Sequence, residues 1–161
     1  MLRNTAALPA GQPDAKEQAE IEAFLRAMPF FAALRVKIMD VLPGSVTLEA
    51  PLTPAFEAPP GAFAASSVGA LGDMAAMSSV SSMLPKEAVV STMDFTVKML
   101  GLSRGARLRA VGRALQIGKT TCVGSADIFV VDQGLVTLCG TLLATGRRLD
   151  RSAVVTAKGA R

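Results

Sequence analysis

This sequence contains no histidine among its 161 residues. Ser-His-Asp triads and Cys-His pairs need an imidazole as their base, and many catalytic zinc sites need one as a ligand. The chain is therefore excluded from those classes of enzyme. We expect neither a metal nor an organic cofactor.

Cysteine is nearly as scarce, since Cys122 and Cys139 are the two in the chain and do not form a C-x-x-C pair. This usage argues against a disulfide framework or a structural zinc site and favours a reducing compartment. We therefore predict a cytoplasmic protein. Both cysteines lie in apolar, strand-like runs, where packing in the core is the expected role rather than a reactive thiol.

Large aromatic and charged side chains are also few. The chain has seven Phe but no Tyr or Trp, and its net charge of +4 is spread along the sequence. Nucleic-acid-binding modules usually need aromatic stacking platforms or a clustered basic face, so nucleic acid is not a predicted partner. A mild basic excess suits an anionic small ligand. The charged fraction of 19% is below the usual quarter, which suggests that other subunits cover part of the surface.

The length fits one domain, which we place at residues 14–149. Residues 1–13 lack the continuous apolar core of a secretory signal and are interpreted as a flexible tail, as are residues 150–161. Gly61–Leu84 is the one stretch that could suggest a membrane span. Asp73 near its middle would cost about 2.5–3.5 kcal/mol on insertion, so no membrane association is predicted.

Helical spacing of apolar residues predicts a helix over Asp14–Met28, with Pro29 as its stop. A hairpin and a proline-rich loop follow, and then a long helix over Gly61–Leu84 that is apolar nearly all round and therefore buried. The predicted strands are Leu34–Leu42, Ser45–Leu52, Ala88–Leu100, Ala106–Ile117, Thr120–Asp132 and Leu135–Arg147.

A six-stranded sheet needs a cover for its concave face, and the helix from Gly61 is the one element apolar enough to supply it. Small side chains on this helix would let the strands approach closely. The sequence thus predicts an α+β domain in which an antiparallel, curved sheet is wrapped around a long central helix.

Asp73 is the only ionisable residue between Glu57 and Lys86. A carboxylate in an apolar helix is costly unless it is paired, hydrogen-bonded or protonated. Either this helix position faces solvent or a subunit boundary, or Asp73 is a catalytic carboxylate at a cleft, made more basic by partial desolvation. Composition alone leaves both interpretations open.

The run from Pro59 to Met77 (PPGAFAASSVGALGDMAAM) resembles the motif region of the PaaI-like branch of the hotdog-fold thioesterases. In that family a loop of the type H-G-x-x-H-[AG]-G leads into the central helix, and an Asp or Glu follows about two turns later. Further similarities follow in the family's order, and the resemblance covers about residues 30–147. The similar segments are Val90–Leu100, Gly105–Gly112 and the hairpin from Gly112-Arg113 to Gly118-Lys119-Thr120.

The resemblance implies a hotdog fold and hydrolysis of an acyl-CoA or related acyl thioester. Asp73 would fall on the family's catalytic carboxylate, acting as general base or nucleophile. The backbone amides of Ala65 and Ser66 would polarise the thioester carbonyl at the start of the helix. Ser91 or Thr92 would hold the attacking water, unless these hydroxyls merely lie at a strand edge.

In this family the loop and the carboxylate come from opposite subunits, which implies a homodimer or a homotetramer. Arg113 and Lys119 match the family's hairpin and are candidate contacts for the phosphates of coenzyme A. Alternation along the strand could place three arginines on one face of the sheet, namely Arg107, Arg109 and Arg113. That face could simply be exposed to solvent. Phe63, in the motif loop, is a candidate for the acyl pocket or for core packing.

The loop departs from the family at its histidines, which are replaced by Pro60 and Ala64, and at its glycines, which are replaced by Ala65 and Ser66. Ala64 is retained as a candidate substrate contact. The departures favour a second hypothesis, a hotdog protein that binds acyl-CoA without hydrolysing it. A hydratase on the same fold is disfavoured because those enzymes use a catalytic histidine. A small oligomeric structural protein is the alternative if the fold itself is mistaken.

Overall fold

The computed structural model describes residue 19, residues 22–23 and residues 26–152. The predicted helix over Asp14–Met28 lies largely outside these residues, although positions 19, 22, 23 and 26 are helical. Pro29 does not simply end that helix but begins a separate short one, α1 (Pro29–Ala33). Proline suits the first position of a helix, where its missing N–H would have no partner.

Six strands form one antiparallel sheet in the order β1-β2-β4-β5-β6-β3. A 3-10 turn (Pro54–Phe56) and the helix α2 (Ala65–Ser81) lie between β2 and β3. The strands are β1 (Lys37–Leu42), β2 (Ser45–Pro51), β3 (Ala88–Met99), β4 (Arg107–Ile117), β5 (Thr121–Asp132) and β6 (Leu135–Asp150).

From the first strand onwards the predicted order of elements is confirmed, but four boundaries were wrong by three residues or more, one of them the end of the central helix at Ser81 rather than Leu84. The first strand begins at Lys37 rather than Leu34, because Leu34 and Arg35 form a turn. The central helix begins at Ala65 rather than Gly61, whose φ of +77° belongs to the left-handed region and not to an α-helix. The last strand runs on to Asp150, which pairs with Ala88.

The helix α2 lies in the concave face of the sheet and contacts β2, β3, β4, β5 and β6. It packs directly on the sheet backbone. A Cβ on Gly112 would stand 2.1 Å from the carbonyl oxygen of Ala75, and one on Gly124 would stand 2.8 Å from that of Ala76. The predicted close approach is therefore confirmed, and it depends on small residues on both sides of the contact.

The core lies between α2 and the sheet. Leu71 of the helix and Leu108 and Ile128 of the sheet are almost fully buried there. The predicted core role of the two cysteines is confirmed, since Cys122 and Cys139 are 0% and 2% exposed. Within the described part of the chain, no helix is long and apolar enough to span a bilayer.

The outer, convex face of the sheet carries ion pairs. The predicted common face of Arg107, Arg109 and Arg113 is confirmed, because the alternating residues Leu108, Ala110 and Gly112 are the buried ones. Glu49 binds both Arg107 and Arg109, each at 2.8 Å. Arg113 binds Asp127 at 2.8 Å.

Candidate active site

Asp73 lies in the middle of α2, on the side of the helix that the sheet does not fully cover. Its carboxyl group is partly buried, and this desolvation raises its pKa above the ordinary value. A hydrogen bond from the Thr92 side chain lowers the pKa and so offsets part of the rise. The net effect is a carboxylate that is more basic than an exposed aspartate.

Thr92 is the hydroxyl that reaches Asp73. Its Oγ1 donates to the carboxylate, 3.1 Å from Oδ1 and 3.2 Å from Oδ2. The contact depends on β3, whose pairing with β6 shifts by one residue between Thr92 and Asp94. Such a bulge changes the direction in which a side chain points.

Ser91, the other predicted hydroxyl, is the strand neighbour of Thr92 and is exposed. It pairs with Arg147, whereas Thr92 pairs with the buried Gly146. Because successive side chains of a strand point to opposite faces, Ser91 faces away from the helix. Within one chain the structure thus brings Thr92, and not Ser91, to Asp73.

The backbone amides at the start of α2 are the second predicted component of the site. Ala64 is the N-cap, in an extended conformation, and its carbonyl accepts from the amides of Ser67 and Val68. The amides of Ala65 and Ser66 come before the first intrahelical hydrogen bond, where an α-helix supplies no acceptor. Both residues are exposed, so these donors are open to a ligand.

Hydrogen bonds hold the loop before α2 in place. The Gly61 amide donates to the Glu57 carboxylate at 3.2 Å, and the Phe63 amide donates to the Ser103 carbonyl at 2.9 Å. The Ala64 amide donates to the Phe56 carbonyl at 2.8 Å. Phe63 is 3% exposed, which places this predicted pocket residue in the core of its own chain.

The two components are separated within one chain. Ala65 and Asp73 are eight residues apart in one helix. At a rise of 1.5 Å per residue, their backbones lie about 12 Å apart along the axis. A group bound at the Ala65 amide therefore lies well away from the Asp73 backbone of the same chain.

Arg113 and Lys119, the predicted phosphate contacts, lie away from Asp73 in their own chain. Arg113 is on the convex face, in the ion pair with Asp127. Its strand is separated from β3 by β5 and β6. Lys119 is exposed in the turn between β4 and β5. Neither residue is brought to the carboxylate within one subunit.

Phe95 was not singled out from the sequence, yet it lies beside the same helix face as Asp73. Its ring is 3.2 Å from the position that a Cβ on Gly69 would occupy, and Gly69 is one helical turn before Asp73. Phe95 remains 45% exposed. This proximity could not be predicted from alternation along the strand, because the bulge after Thr92 changes which residues of β3 face the helix.

Among the described residues, no three His, Cys, Asp or Glu side chains are grouped so that they could hold a metal ion. The groups that the structure places at the site are a carboxylate, a hydroxyl and backbone amides. Such groups can bind a carbonyl oxygen and activate a water molecule.

No protein family profile and no curated sequence matches the chain. Solved structures do. A thioesterase family protein from Silicibacter pomeroyi is 26% identical, with a TM-score of 0.79 over 83% of this chain and 98% of that one. The chain has the hotdog fold.

Two further hotdog structures are more distant in sequence. A thioesterase from Haemophilus influenzae is 16% identical, with a TM-score of 0.69 over 79% of this chain and 87% of that one. A phenylacetic acid degradation-related protein from Ralstonia eutropha is 23% identical, with a TM-score of 0.67 over 79% and 98%. At these identities the similarity shows the hotdog fold alone.

Proposed function

We propose that this hotdog protein hydrolyses the thioester bond of an acyl-CoA or a related acyl thioester. The observation that carries the proposal is the hydrogen bond from Thr92 to Asp73, a partly desolvated carboxylate beside the open face of the central helix. Perturbed carboxylates of this kind are typical of catalytic sites. The similarity to a thioesterase family protein from Silicibacter pomeroyi supports the same reaction.

In the proposed mechanism the thioester carbonyl accepts hydrogen bonds from the amides of Ala65 and Ser66. The helix dipole and these donors stabilise the negative charge that develops on the carbonyl oxygen. Asp73 takes a proton from water as the water oxygen bonds to the carbonyl carbon, or it attacks that carbon itself. The carbon–sulfur bond then breaks, and the thiolate leaves as a thiol with the proton that Asp73 took from water. If Asp73 itself attacks, the thiolate leaves first, and water then hydrolyses the mixed anhydride on Asp73, which releases the acid and supplies the proton for the thiolate.

Thr92 positions the carboxylate in this mechanism. Its hydroxyl proton is directed to Asp73, so the lone pairs of its oxygen are free to accept a hydrogen bond from the attacking water. Ser91 faces the other side of β3 in the same chain. We therefore assign the water-holding role to Thr92.

We also propose that the active unit is a homodimer or a homotetramer, because the two components lie about 12 Å apart in one chain. The strand β3 is an edge of the sheet and presents the exposed apolar side chains of Met93, Phe95 and Met99. An exposed edge strand is a template for pairing with a second chain. Pairing along β3 would bring the helix start of one subunit towards Asp73 of the other.

Acyl-CoAs of several chain lengths, incubated with the protein and a thiol reagent, test the proposal. We expect Asp73→Asn to lower kcat by about 10²–10⁴-fold, the usual contribution of a positioned base. Asp40→Asn is the matched control, because Asp40 is an exposed carboxylate on β1, at the edge of the sheet opposite β3. An unchanged rate in Asp73→Asn would refute the catalytic role of Asp73.

A second candidate function is binding of acyl-CoA without hydrolysis. It is favoured by the loop before α2, where Pro60 and Ala64 stand in place of the side chains with which the family positions its substrate. Calorimetric binding of acyl-CoA by the wild-type protein without release of thiol would select this function.

A further inference from the structure

One glycine of the central helix lies between the two components of the proposed site. Ala65, Gly69 and Asp73 follow one another at intervals of four residues, so they lie along one face of α2. Gly69 is about 6 Å along the helix axis from each of the other two. Whatever covers Gly69 therefore borders both the helix start and the carboxylate of its own chain.

The side chain that covers Gly69 is Phe95 of the edge strand β3. A Cβ on Gly69 would stand 3.2 Å from Cε2 and 3.8 Å from Cζ of the ring, so the missing side chain makes room for it. The ring is nevertheless 45% exposed, since no strand lies beyond β3 in this chain. A large apolar surface is thus presented one helical turn from each proposed catalytic group.

The surface around this ring is nearly without charge. On β3, Phe95 faces the helix, whereas Asp94 and Lys98 have the opposite parity and face the convex side. Of the described residues on α2 and β3, Asp73 is the one charged side chain on the helix-facing side. A carboxylate at the far end of an acyl group would lose hydration here without gaining a cation, so the surface favours a neutral acyl group.

We propose that Phe95 selects the acyl group, and that the protein accepts short, neutral and apolar ones. The inference rests on the proposed thioesterase function. The acyl chain begins at the carbonyl carbon, which lies between the helix-start amides and Asp73, so its first carbons come within reach of the ring. Because the ring already fills the space over Gly69, a long chain has to displace it, whereas a short chain packs against it.

The test compares hydrolysis of butyryl-CoA and lauroyl-CoA. We expect the wild type to have the higher kcat/KM on butyryl-CoA. Phe95→Ala should raise kcat/KM on lauroyl-CoA by at least about tenfold, since even one methylene group changes binding in an apolar pocket by about 10–200-fold. Phe30→Ala is the matched control, because Phe30 is likewise exposed, at 54%, on α1, which leads into β1 at the opposite edge of the sheet.

A second variant separates acyl selection from a role of the ring in holding subunits together. Phe95→Leu keeps an apolar side chain and shortens it, so it should keep the wild-type size in gel filtration and shift the preference part of the way towards lauroyl-CoA. Should both Phe95 variants keep the wild-type order of substrates, whatever their absolute rates and sizes, Phe95 does not select the acyl group. A wild-type preference for lauroyl-CoA would equally overturn the assignment.

Succinyl-CoA tests the neutral character of the acyl group. Its acyl chain has as many carbons as that of butyryl-CoA but ends in a carboxylate. We expect the wild-type kcat/KM to be at least about tenfold lower on succinyl-CoA, because the carboxylate loses hydration without a partner. An equal or higher value on succinyl-CoA would contradict this part of the proposal.

The proposed function can fail separately. If the wild-type protein hydrolyses none of these thioesters, hydrolysis is wrong, and calorimetric binding of butyryl-CoA and lauroyl-CoA then decides the role of Phe95. Tighter binding of butyryl-CoA by the wild type, with the preference reversed in Phe95→Ala, supports selection by the ring. The same order of affinities in both proteins, or no binding by either, overturns it.

Discussion

The hydroxyl of Thr92 donates to both oxygens of the Asp73 carboxylate, at 3.1 and 3.2 Å, and thereby joins the edge strand β3 to the central helix. The bond stabilises the charged form of Asp73 against the effect of burial, which favours the protonated form. Its removal should therefore raise the pKa of Asp73 further.

Thr92→Val removes this donor and keeps the shape of the side chain. Because the carboxylate form is the one that accepts a proton, we expect the acid limb of the pH profile of kcat/KM to move to higher pH. Thr92→Ser retains the hydroxyl and should keep the wild-type profile. If the pH profile of kcat/KM of Thr92→Val coincides with that of the wild type, the hydrogen bond from Thr92 does not influence the catalytic carboxylate.

Asp73→Asn should stabilise the fold at neutral pH. The folded-state pKa of Asp73 is raised, so the folded protein binds more protons than the unfolded chain between the two pKa values. The wild type therefore loses stability as pH rises through this window, from about 3.9, and the loss is complete above the folded-state pKa.

Asparagine does not titrate, so the variant avoids this loss. In thermal unfolding at a series of pH values, the Tm advantage of Asp73→Asn should grow with rising pH and vanish below the ordinary aspartate pKa. Asp40→Asn, at an exposed position on β1, should show no such trend. A variant less stable than the wild type at neutral pH would mean that the carboxylate is a net stabilising group.

Local patterns were sufficient to predict the strands and the buried central helix. Period-two alternation marks the strands, and an apolar run too long for a strand marks the helix. The close packing of α2 on Gly112 and Gly124 also follows from composition, because small residues occur on both elements. These features depend on the composition and pattern of each segment by itself.

Long-range relationships could not be predicted in the same way. Ser91 and Thr92 are equivalent in the sequence, and the choice between them depends on which face of β3 packs on the helix. The common face of Arg107 and Arg109 follows from parity, but their partner Glu49 lies on another strand, about sixty residues away. The bulge in β3 that changes the parity has no local signal, so Phe95 was missed.

The ion pairs of Glu49 should contribute measurably to stability. The Glu49 side chain is 8% exposed and is held by Arg107 and Arg109, so its loss leaves two cations without their buried partner. We expect Glu49→Gln to lower the free energy of unfolding by about 1–3 kcal/mol in urea titrations.

Asp127→Asn is the control for this effect. The Asp127–Arg113 pair is more exposed, at 36% and 50%, and should contribute at most about 1 kcal/mol. A loss in Glu49→Gln no greater than that in Asp127→Asn would show that water replaces the carboxylate without cost.

Ala65→Pro should remove one proposed oxyanion donor while leaving the helix intact. Proline is well accommodated at the first helical position, and the preceding Ala64 already has the extended conformation that proline requires (ψ 146°). Loss of one such donor costs about 2.7–4 kcal/mol of transition-state stabilisation, so kcat should fall by about 10²–10³-fold. Unfolding temperature is the control and should change little.

Mixed subunits then test whether the site is shared between chains. A heterodimer of one Asp73→Asn subunit and one Ala65→Pro subunit can be isolated through two different affinity tags. If sites are shared, one of its sites combines the intact Asp73 of the Ala65→Pro subunit with the intact Ala65 amide of the Asp73→Asn subunit. The other site lacks both. If the carboxylate and the amides act across the interface, this heterodimer should regain about half of the wild-type activity, although each homodimer is nearly inactive. If they act within one chain, both sites of the heterodimer are defective and no activity returns. The separation of about 12 Å along α2 favours action across the interface, so we expect recovery.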